Sequence, residues 1–217
     1  MPTRPRRRDT PDRAAALEQY RRRAAIYDLE LALFEPVRRR AIGWLAPPAG
    51  GMVLDIGCGT GLSFEMLLHA VGSHGRIIGI EQSPQMIEKA QQRVRRHGWR
   101  NVTLLCSPAE QAPIAGRADA ALLHFTHDVM QSDAALEHVL SHLKPGAVLV
   151  ASGLKWAPPW AAPLNLLVWP AALHSVSSLA GLHRPWQRLA ERVGEPEVRT
   201  MLGGAVYLAR ARAPGSA

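Results

Sequence analysis

The sequence predicts an α/β fold in which a mostly parallel sheet carries helices on both faces. Between residues 52 and 152, five short apolar runs alternate with segments of helical periodicity, as the strands and crossover helices of a parallel sheet do. A glycine-rich stretch, Gly57–Gly61, follows the first of these runs. The 217 residues, 47% hydrophobic and 20% charged, are enough for one domain with a full core and exclude a wholly disordered chain.

The elements follow in chain order from apolar periodicity and from the residues that begin and end helices. Ser83 supplies a capping hydroxyl, Pro84 suits the first helical position, and Gly98 ends that helix. One or two amphipathic helices are predicted between residues 13 and 44. The later helices are predicted at 62–71, 84–97, 133–143 and 184–193. The strands are predicted at 52–56, 76–80, 102–105, 119–124 and 147–152, with two closing strands at 197–201 and 205–210.

The domain plan follows from these elements. Residues 1–12 are rich in Pro and Arg, and we expect them to be a disordered basic tail. Residues 13–217 are predicted to form one domain. Its parts are helices that cover the ligand (13–46), a ligand-binding core (51–152), a cover segment with a helix (153–195) and the closing strands (196–212).

The charge and the cysteines narrow the class of protein. The net charge is +8, but residues 1–40 hold a surplus of five positive charges, eleven arginines against six acids, so the excess lies mostly in an N-terminal arm. The arginine runs at 21–23, 38–40 and 93–96 are interpreted as solvated helix faces. Cys58 and Cys106 are interpreted as small buried residues, and two cysteines cannot form a disulfide scaffold. With no signal peptide apparent, we expect a cytoplasmic protein.

The stretch Val53–Gly61 ends the first predicted strand and opens the first helix, where open α/β sheets bind ligands. Its G-x-G-x-G spacing departs from that of dinucleotide sites, because Leu62 stands where their third glycine would fall. Asp55 would repel a pyrophosphate and suits an ammonium group. Glu81 stands where an acid holds the ribose hydroxyls. An adenosine with a positively charged amino-acid tail meets these conditions, and that ligand is S-adenosylmethionine.

A resemblance to class I methyltransferases of the ubiquinone/menaquinone-biosynthesis-like group is carried by three segments. They are Val-Leu-Asp-Ile-Gly-Cys-Gly-Thr-Gly (53–61), Gly-Ile-Glu-Gln-Ser-Pro-Gln-Met (79–86) and Leu-Lys-Pro-Gly (143–146). The resemblance covers roughly residues 17–152. It implies a Rossmann-like, seven-stranded, mostly parallel sheet with one antiparallel strand, S-adenosylmethionine as cofactor and S-adenosylhomocysteine as product.

The resemblance also implies cofactor contacts. Asp55, Gly57 and Gly59 would face the methionine half, Glu81 the ribose, and Gln82 and Met86 the adenine, while Tyr20 and Tyr27-Asp28 match a pattern in the helix that closes over the cofactor. The predicted cofactor-binding set is Tyr20, Tyr27, Asp55, Gly57, Cys58, Gly59, Gly61, Glu81, Gln82, Met86, Ser107, Ala109, Glu110 and His124.

One segment departs from the pattern of this family. After the third strand the family has Gly-Asp-Ala-Glu, whose aspartate meets the adenine amino group. This chain has Ser107, Pro108, Ala109 and Glu110 there, with Pro108 in the place of the aspartate. Either Ser107 or a backbone carbonyl takes that role, or the adenine is held less firmly.

The candidate catalytic residues follow the fourth predicted strand. His124 or His127 could take a proton from a hydroxyl acceptor, because imidazole titrates near working pH. The alternative is that both only shape the floor of the pocket. A metal site built from His124, His127 and Asp128 is less favoured, because no further ligand set is apparent, and no metal is predicted.

The segment Trp156–His183 contains no Asp, Glu, Lys or Arg, but holds three tryptophans and four prolines. The prolines interrupt any membrane span, which needs about 20 apolar residues. We expect the segment to cover an apolar acceptor pocket, with Trp156 and Trp160 contacting the acceptor. A membrane surface is the less favoured partner.

The predicted function is S-adenosylmethionine-dependent methylation of a small, rather apolar molecule at oxygen, nitrogen, sulfur or carbon. Two alternatives remain open at this point. One is an RNA methyltransferase that uses the basic N-terminal arm, although no Asn/Asp-Pro-Pro-aromatic motif follows the fourth strand. The other is a catalytically silent cofactor-binding protein. The sequence does not indicate an oligomeric state.

Overall fold

The computed structural model describes residues 34–165 and 181–215, and all seven predicted strands lie within them. They form one sheet in the order β3-β2-β1-β4-β5-β7-β6. The strands are β1 (Met52–Ile56), β2 (Arg76–Glu81), β3 (Val102–Cys106), β4 (Ala118–His124), β5 (Leu143–Leu154), β6 (Glu197–Met201) and β7 (Val206–Arg212).

The sheet is mostly parallel. Each neighbouring pair among β1 to β5 is parallel, whereas β7 runs antiparallel to both β5 and β6. The predicted seven-stranded, mostly parallel sheet with one antiparallel strand is therefore confirmed. Because parallel strands end at the same edge, the carboxyl ends of β1, β2, β4 and β5 lie together there, and this edge positions the candidate site.

Six α-helices are found among the described residues, and short 3₁₀ turns lie at 109–111, 159–164 and 202–204. In the helix predicted at 84–97, the start and the end agree with the prediction. Ser83 Oγ accepts a hydrogen bond from the Met86 amide at 3.4 Å, and Gly98 adopts φ 66° at the other end. The helices are α1 (Glu35–Leu45), α2 (Phe64–Val71), α3 (Pro84–His97), α4 (His127–Met130), α5 (Asp133–Ser141) and α6 (Gln187–Val193).

Several predicted boundaries were wrong by a few residues. Helix α2 begins at Phe64 rather than at 62, because residues 59–63 form the turns of the glycine loop. Strand β5 starts earlier and ends later than predicted, since Leu143 already pairs with Ala118 of β4 and Leu154 pairs with Val206 of β7. Beyond His124, the last residue of β4, the backbone of β5 continues as a strand because it pairs with β7.

The core lies on both faces of the sheet. All five residues of β1 are buried, and they alternate between the two faces as strand geometry requires. Val53 joins the cluster that includes residues of α1, α2 and α3, whereas Leu54 joins the cluster that includes residues of α5 and α6. The sheet is therefore the middle layer of three, and β1 is fixed firmly enough to hold the loop that follows it.

Some sequence predictions lie outside the described residues. They concern the tail at 1–12, the arginine run at 21–23, Tyr20, Tyr27 and the part of the cover segment at 166–180. Among the helices that the structure does describe, none has the length and apolar character needed to cross a membrane.

Candidate functional site

The glycine loop joins β1 to α2 at the carboxyl edge of the sheet. Gly57, Gly59 and Gly61 have φ values of 65°, 56° and 80°, a region that side-chain-bearing residues adopt with strain. A Cβ at Gly57 would lie 2.3 Å from Cγ2 of Thr126. A side chain at Gly57 would therefore displace Thr126, and glycine at these three positions lets the backbone adopt the tight turn beside β1.

Asp55 is the buried acid next to this loop. Asp55 is 1% exposed to solvent, and its Oδ2 atom is buried without a hydrogen-bond partner. Burial is the main reason why the pKa of Asp55 is raised to about 7. The positive charge of Arg38 lowers this pKa, and the negative charge of Glu81 raises it further. A buried carboxylate with a free oxygen is unfavourable unless a positive group meets it, so Asp55 is suited to bind one.

Glu81 ends β2 and lies on the other side of the loop. Its Oε2 accepts a hydrogen bond from the Gly59 amide at 3.3 Å, and its Oε1 accepts one from the Ser83 amide at 2.8 Å. Burial raises the pKa of Glu81, while the backbone amides of Ser83, Gly59 and Gln82 lower it. The carboxylate thus ties β2 to the glycine loop, and each oxygen keeps a lone pair for a ligand hydroxyl.

Arg38 was missed as a site residue. The prediction that the run 38–40 is solvated was wrong for Arg38, which is 3% exposed, because it lies on the face of α1 that also buries Val37, Ala41 and Ile42. Arg38 lines a small cavity together with Asp55, the glycine loop and His124. A sequence signal existed, since Arg38 shares helical spacing with Phe34, Ala41, Ile42 and Leu45.

Arg93 also departs from the prediction of a solvated face. It is half-buried, and its Nε donates a hydrogen bond to the Thr60 carbonyl at 3.0 Å. Arg95 and Arg96, in the same run, are exposed. The Arg93 side chain therefore links α3 to the glycine loop and helps to position the loop. Arg93 itself does not line the cavity.

His124 ends β4 and faces the cavity. Its Nδ1 lies 2.7 Å from Oγ of Ser152 on β5, and its Nε2 is buried without a partner. Burial, and then the charge of Arg38, lower the pKa of His124 to about 3. The imidazole is therefore neutral at working pH, and it offers Nε2 to a ligand as a hydrogen-bonding atom.

Phe125 closes this end of the cavity with a strained backbone. Its φ of 58° is left-handed, and its amide donates to the Ser152 carbonyl at 2.8 Å. The ring packs against Phe34, with 4.6 Å between ring centroids. Strain of this kind persists where the surroundings enforce it, and here the Ser152 hydrogen bond and the Phe34 contact hold Phe125 in the lining of the cavity.

The remaining predicted site residues lie near the loop but not all in the cavity. Cys58 is buried and lines the cavity, whereas Cys106, at the end of edge strand β3, is exposed, which contradicts its predicted burial. Met86 is buried in α3, and Gln82 is half-buried. His127 is buried in the first turn of α4 and is not among the residues that line the cavity.

The segment after β3 follows Glu81 closely in space. The Ser107 amide donates to the Glu81 carbonyl at 3.0 Å, and the Ser107 hydroxyl donates to the Pro108 carbonyl at 3.1 Å. Ala109 is buried, and Glu110 is half-buried in the 3₁₀ turn that follows. The Ser107 hydroxyl oxygen keeps its acceptor capacity, so it remains available to an amino group.

A second and larger cavity, of about 520 Å³, lies beyond the end of β5. Trp156 lines it with Lys155, Ala157, Pro158, Pro159, Asn165 and His183. Trp160 does not, and it is 78% exposed, contrary to the expectation that it would wall a pocket. The 3₁₀ turn at 159–164 buries Ala161 and thereby directs Trp160 outward.

The residues fit the cofactor that the sequence predicts better than they fit a metal ion. Asp55 has a buried carboxylate oxygen without a partner next to the glycine loop, which suits a positively charged amino group. Glu81 presents a buried carboxylate one strand away, as a ribose requires. Within 34–165 and 181–215, no group of three or more His, Cys, Asp or Glu residues is placed to hold a metal ion.

Comparison with known proteins agrees with this geometry. Residues 53–146 match the methyltransferase domain family. Aklanonic acid methyltransferase DauC of Streptomyces sp. (strain C5) is 36% identical over 96 residues, which is 44% of each chain. Malonyl-[acyl-carrier protein] O-methyltransferase of Serratia marcescens is 32% identical over 151 residues, covering 67% of this chain and 55% of that protein. The chain thus spans about half the length of the curated relatives it matches.

The fold has solved counterparts. The N-methyltransferase NodS from Bradyrhizobium japonicum WM9, crystallised with S-adenosylhomocysteine, superposes with a TM-score of 0.66 at 21% identity. The superposition covers 92% of this chain and 98% of NodS. At that identity the likeness shows the fold alone.

Proposed function

We propose that this chain, whose core belongs to the class I S-adenosylmethionine-dependent methyltransferases, transfers the methyl group of that cofactor to a small, rather apolar acceptor. One observation carries the proposal. Two buried carboxylates, Asp55 and Glu81, lie on the adjacent strands β1 and β2, and Glu81 accepts a hydrogen bond from the glycine loop that follows Asp55. When bound, the cofactor supplies a methyl group activated by a sulfonium, so the protein has to bind, orient and exclude water.

The cofactor roles are assigned from the contacts that each side chain leaves open. Asp55 binds the amino group of the cofactor through Oδ2. Glu81 accepts hydrogen bonds from the ribose hydroxyls, with the carboxylate lone pairs that its two hydrogen bonds from backbone amides leave free. The loop amides of Gly57–Gly61 approach the amino-acid part. The Ser107 hydroxyl oxygen accepts a hydrogen bond from the adenine amino group. It thereby takes the role of the family's aspartate, whose position is occupied by Pro108 in this chain.

His124 acts in this proposal as a hydrogen-bonding residue rather than as a general base. A phenolic hydroxyl has a pKa of about 10, whereas the pKa of His124 is lowered to about 3. Proton transfer from such a hydroxyl to His124 is therefore unfavourable. An acceptor that is already deprotonated, or that loses its proton to solvent, therefore suits this site.

The acceptor site is assigned to the second cavity. Trp156, Ala157, Pro158 and Pro159 form its apolar wall, with Lys155, Asn165 and His183 as the polar lining residues, and the lining starts directly after Leu154, the last residue of β5. Cavities of several hundred Å³ with few polar groups accommodate small molecules. The relatives named for aklanonic acid and malonyl-acyl carrier protein support acceptors of the small-acid or acyl class.

A substrate screen tests the proposal. The full chain is incubated with S-adenosylmethionine carrying a labelled methyl group and with panels of phenols, carboxylic acids, amines and thiols. We expect a product heavier by one methyl group from one panel. Binding of S-adenosylhomocysteine without turnover of any panel supports the silent cofactor-binding alternative, and labelling of RNA supports the RNA alternative.

Trp156 and Trp160 provide a matched pair for the acceptor site. Trp156→Ala is expected to raise the acceptor KM about tenfold or more, because a large ring leaves the cavity wall. Trp160→Ala serves as the control, since this ring is exposed and should leave KM within about twofold. Equal effects of the two substitutions would contradict the assignment of this cavity.

A further inference from the structure

Lys155 supplies a positive charge to the wall of the second cavity. The other polar lining residues are Asn165 and His183, and none of the described residues that line this cavity is acidic. Lys155 follows β5 directly and is half-buried. A charged group in a largely apolar wall is unfavourable unless an opposite charge meets it, so this cavity favours a ligand that carries a negative charge.

The ammonium group of Lys155 keeps one hydrogen-bond donor for such a ligand. Its Nζ donates to the Trp156 carbonyl at 2.6 Å and to the Gly204 carbonyl at 3.3 Å. A lysine ammonium has three N–H donors, so these two contacts leave the third free. Among residues 34–165 and 181–215, no carboxylate forms an ion pair with Lys155. Burial lowers the pKa of Lys155, whereas a carboxylate close to it would act in the opposite direction.

The backbone around Lys155 is fixed before any ligand arrives. The Lys155 amide donates to the Ala205 carbonyl at 2.9 Å, and the Trp156 amide donates to the Leu182 carbonyl at 3.0 Å. Two separate segments therefore hold the chain on either side of the ammonium. A donor that is already ordered costs little further conformational entropy when it binds an anion.

The rest of the lining determines what else the ligand has to be. Trp156, Ala157, Pro158 and Pro159 form the apolar wall beside the ammonium. Oδ1 of Asn165 accepts a hydrogen bond from the Ala157 amide at 2.8 Å, so this side chain is already hydrogen-bonded within the wall. An apolar molecule that carries a carboxylate matches both the wall and the ammonium. A neutral molecule would leave the positive charge uncompensated, and a cation would be repelled.

We propose that the second cavity binds an apolar carboxylic acid as its anion, and that Lys155 binds the carboxylate and thereby selects acidic acceptors. This inference rests on the proposed function, in which this cavity holds the methyl acceptor. It narrows the phenols, acids, amines and thiols of the substrate screen to molecules that carry a carboxylate. Lys155 determines specificity for the acceptor and takes no part in binding the cofactor.

Calorimetric titration with two probes of the same shape tests the role of Lys155. Naphthoate and naphthamide, substituted at the same ring carbon, are titrated into the full chain in the presence of S-adenosylhomocysteine at neutral pH, where only naphthoate is charged. We expect the wild-type chain to bind naphthoate about tenfold more tightly than naphthamide. Lys155→Met, which keeps most of the side-chain length without the charge, should weaken naphthoate binding about tenfold or more and change naphthamide binding by less than about twofold.

Two further variants serve as controls. Lys155→Arg keeps the charge, and a guanidinium also pairs with carboxylates, so naphthoate binding should remain within about fivefold of the wild type. Lys144→Met removes the same charge near the opposite end of β5, from an exposed side chain that pairs with Asp119, and should change neither probe by more than about twofold. Thermal unfolding without ligand shows whether each variant keeps the fold. The preference of the wild-type chain for naphthoate needs no variant and provides an independent check.

The outcomes distinguish this inference from the proposed function. A loss confined to naphthoate in a folded Lys155→Met, restored in Lys155→Arg, supports Lys155 as the carboxylate-binding residue. If the wild-type chain binds neither probe or does not prefer naphthoate, or if folded Lys155→Met loses both probes equally, the role of Lys155 is overturned while S-adenosylhomocysteine binding still supports the proposed function. If the wild-type chain does not bind S-adenosylhomocysteine, the proposed function itself fails, and titration of naphthoate alone still decides whether Lys155 binds a carboxylate.

Discussion

Replacing Asp55 with asparagine separates the effect of this side chain on the fold from its effect on ligand binding. Asp55 is fully enclosed beside the glycine loop, and burial raises its pKa from 3.8 to about 7. An asparagine at this position would have nearly the same shape but no charge. We therefore expect Asp55→Asn to stabilise the ligand-free protein at alkaline pH while weakening S-adenosylhomocysteine binding.

The direction follows from proton linkage. The pKa of Asp55 is higher in the folded protein than in the unfolded chain, so the folded state binds more protons between about pH 4 and pH 7, and wild-type stability falls as the pH rises through that window. The full difference of about three pKa units corresponds to roughly 4 kcal/mol above pH 7. The asparagine side chain does not titrate. The gap in unfolding free energy between the variants should therefore widen by about 2–3 kcal/mol from pH 5 to pH 8.

Urea unfolding of both proteins at about pH 5 and about pH 8 measures this gap without ligand. The widening is the informative quantity, since any cost of seating the asparagine amide is common to both pH values. A gap that stays constant would show that Asp55 has an ordinary pKa in the folded protein. A gap that narrows would reverse the sign of the argument.

Two further results are expected. Gly57→Ala should destabilise the chain by about 1–3 kcal/mol more than Gly72→Ala. Both positions have positive φ, but only the Cβ at Gly57 would meet another residue, at 2.3 Å from Thr126. Equal losses of stability in thermal unfolding would contradict this expectation. His124 should remain neutral down to about pH 4, because burial and the charge of Arg38 oppose its protonation. If an NMR titration of its imidazole had a midpoint near pH 6.5, His124 would again be a candidate general base.

The parallel core was predictable because its signals are local. Each strand from β1 to β4 is an apolar run of about the observed length, and Ser83, Pro84 and Gly98 mark the ends of one helix by capping chemistry that depends only on neighbouring residues. The glycine loop and Glu81 were identified for the same reason, since both lie at fixed positions relative to strands. That these two elements lie close together then follows from the parallel order of the sheet.

The buried guanidinium was not predicted, although its helical spacing indicated it. A run of three arginines, 38–40, suggests a solvated face when it is treated as a block of charge. Helical geometry instead divides the run, because Arg38 falls on the face of Ala41 and Ile42, whereas the Arg39 side chain is 75% exposed. Arg38 lines the same cavity as Asp55, and only the tertiary structure shows that.

The two tryptophans show the opposite limit. Composition predicted that the uncharged segment covers a pocket and assigned Trp156 and Trp160 to it. Trp156 lines a cavity, but Trp160 points outward, because a 3₁₀ turn between prolines determines which side chains face in. Apolar content without periodicity does not give side-chain direction, so orientation in such a segment could not be derived from sequence.

Asp55 and Glu81, the two acids beside the glycine loop, are proposed to bind S-adenosylmethionine, and calorimetry distinguishes this cofactor from a dinucleotide. S-Adenosylhomocysteine is titrated calorimetrically into the wild-type chain and into Glu81→Ala, with NAD as the comparison ligand. We expect saturable one-to-one binding of S-adenosylhomocysteine, no binding of NAD, and a loss of affinity of about tenfold or more in Glu81→Ala, which lacks charge-assisted bonds to the ribose. Wild-type affinity in Glu81→Ala, or binding of NAD in preference to S-adenosylhomocysteine, would contradict it.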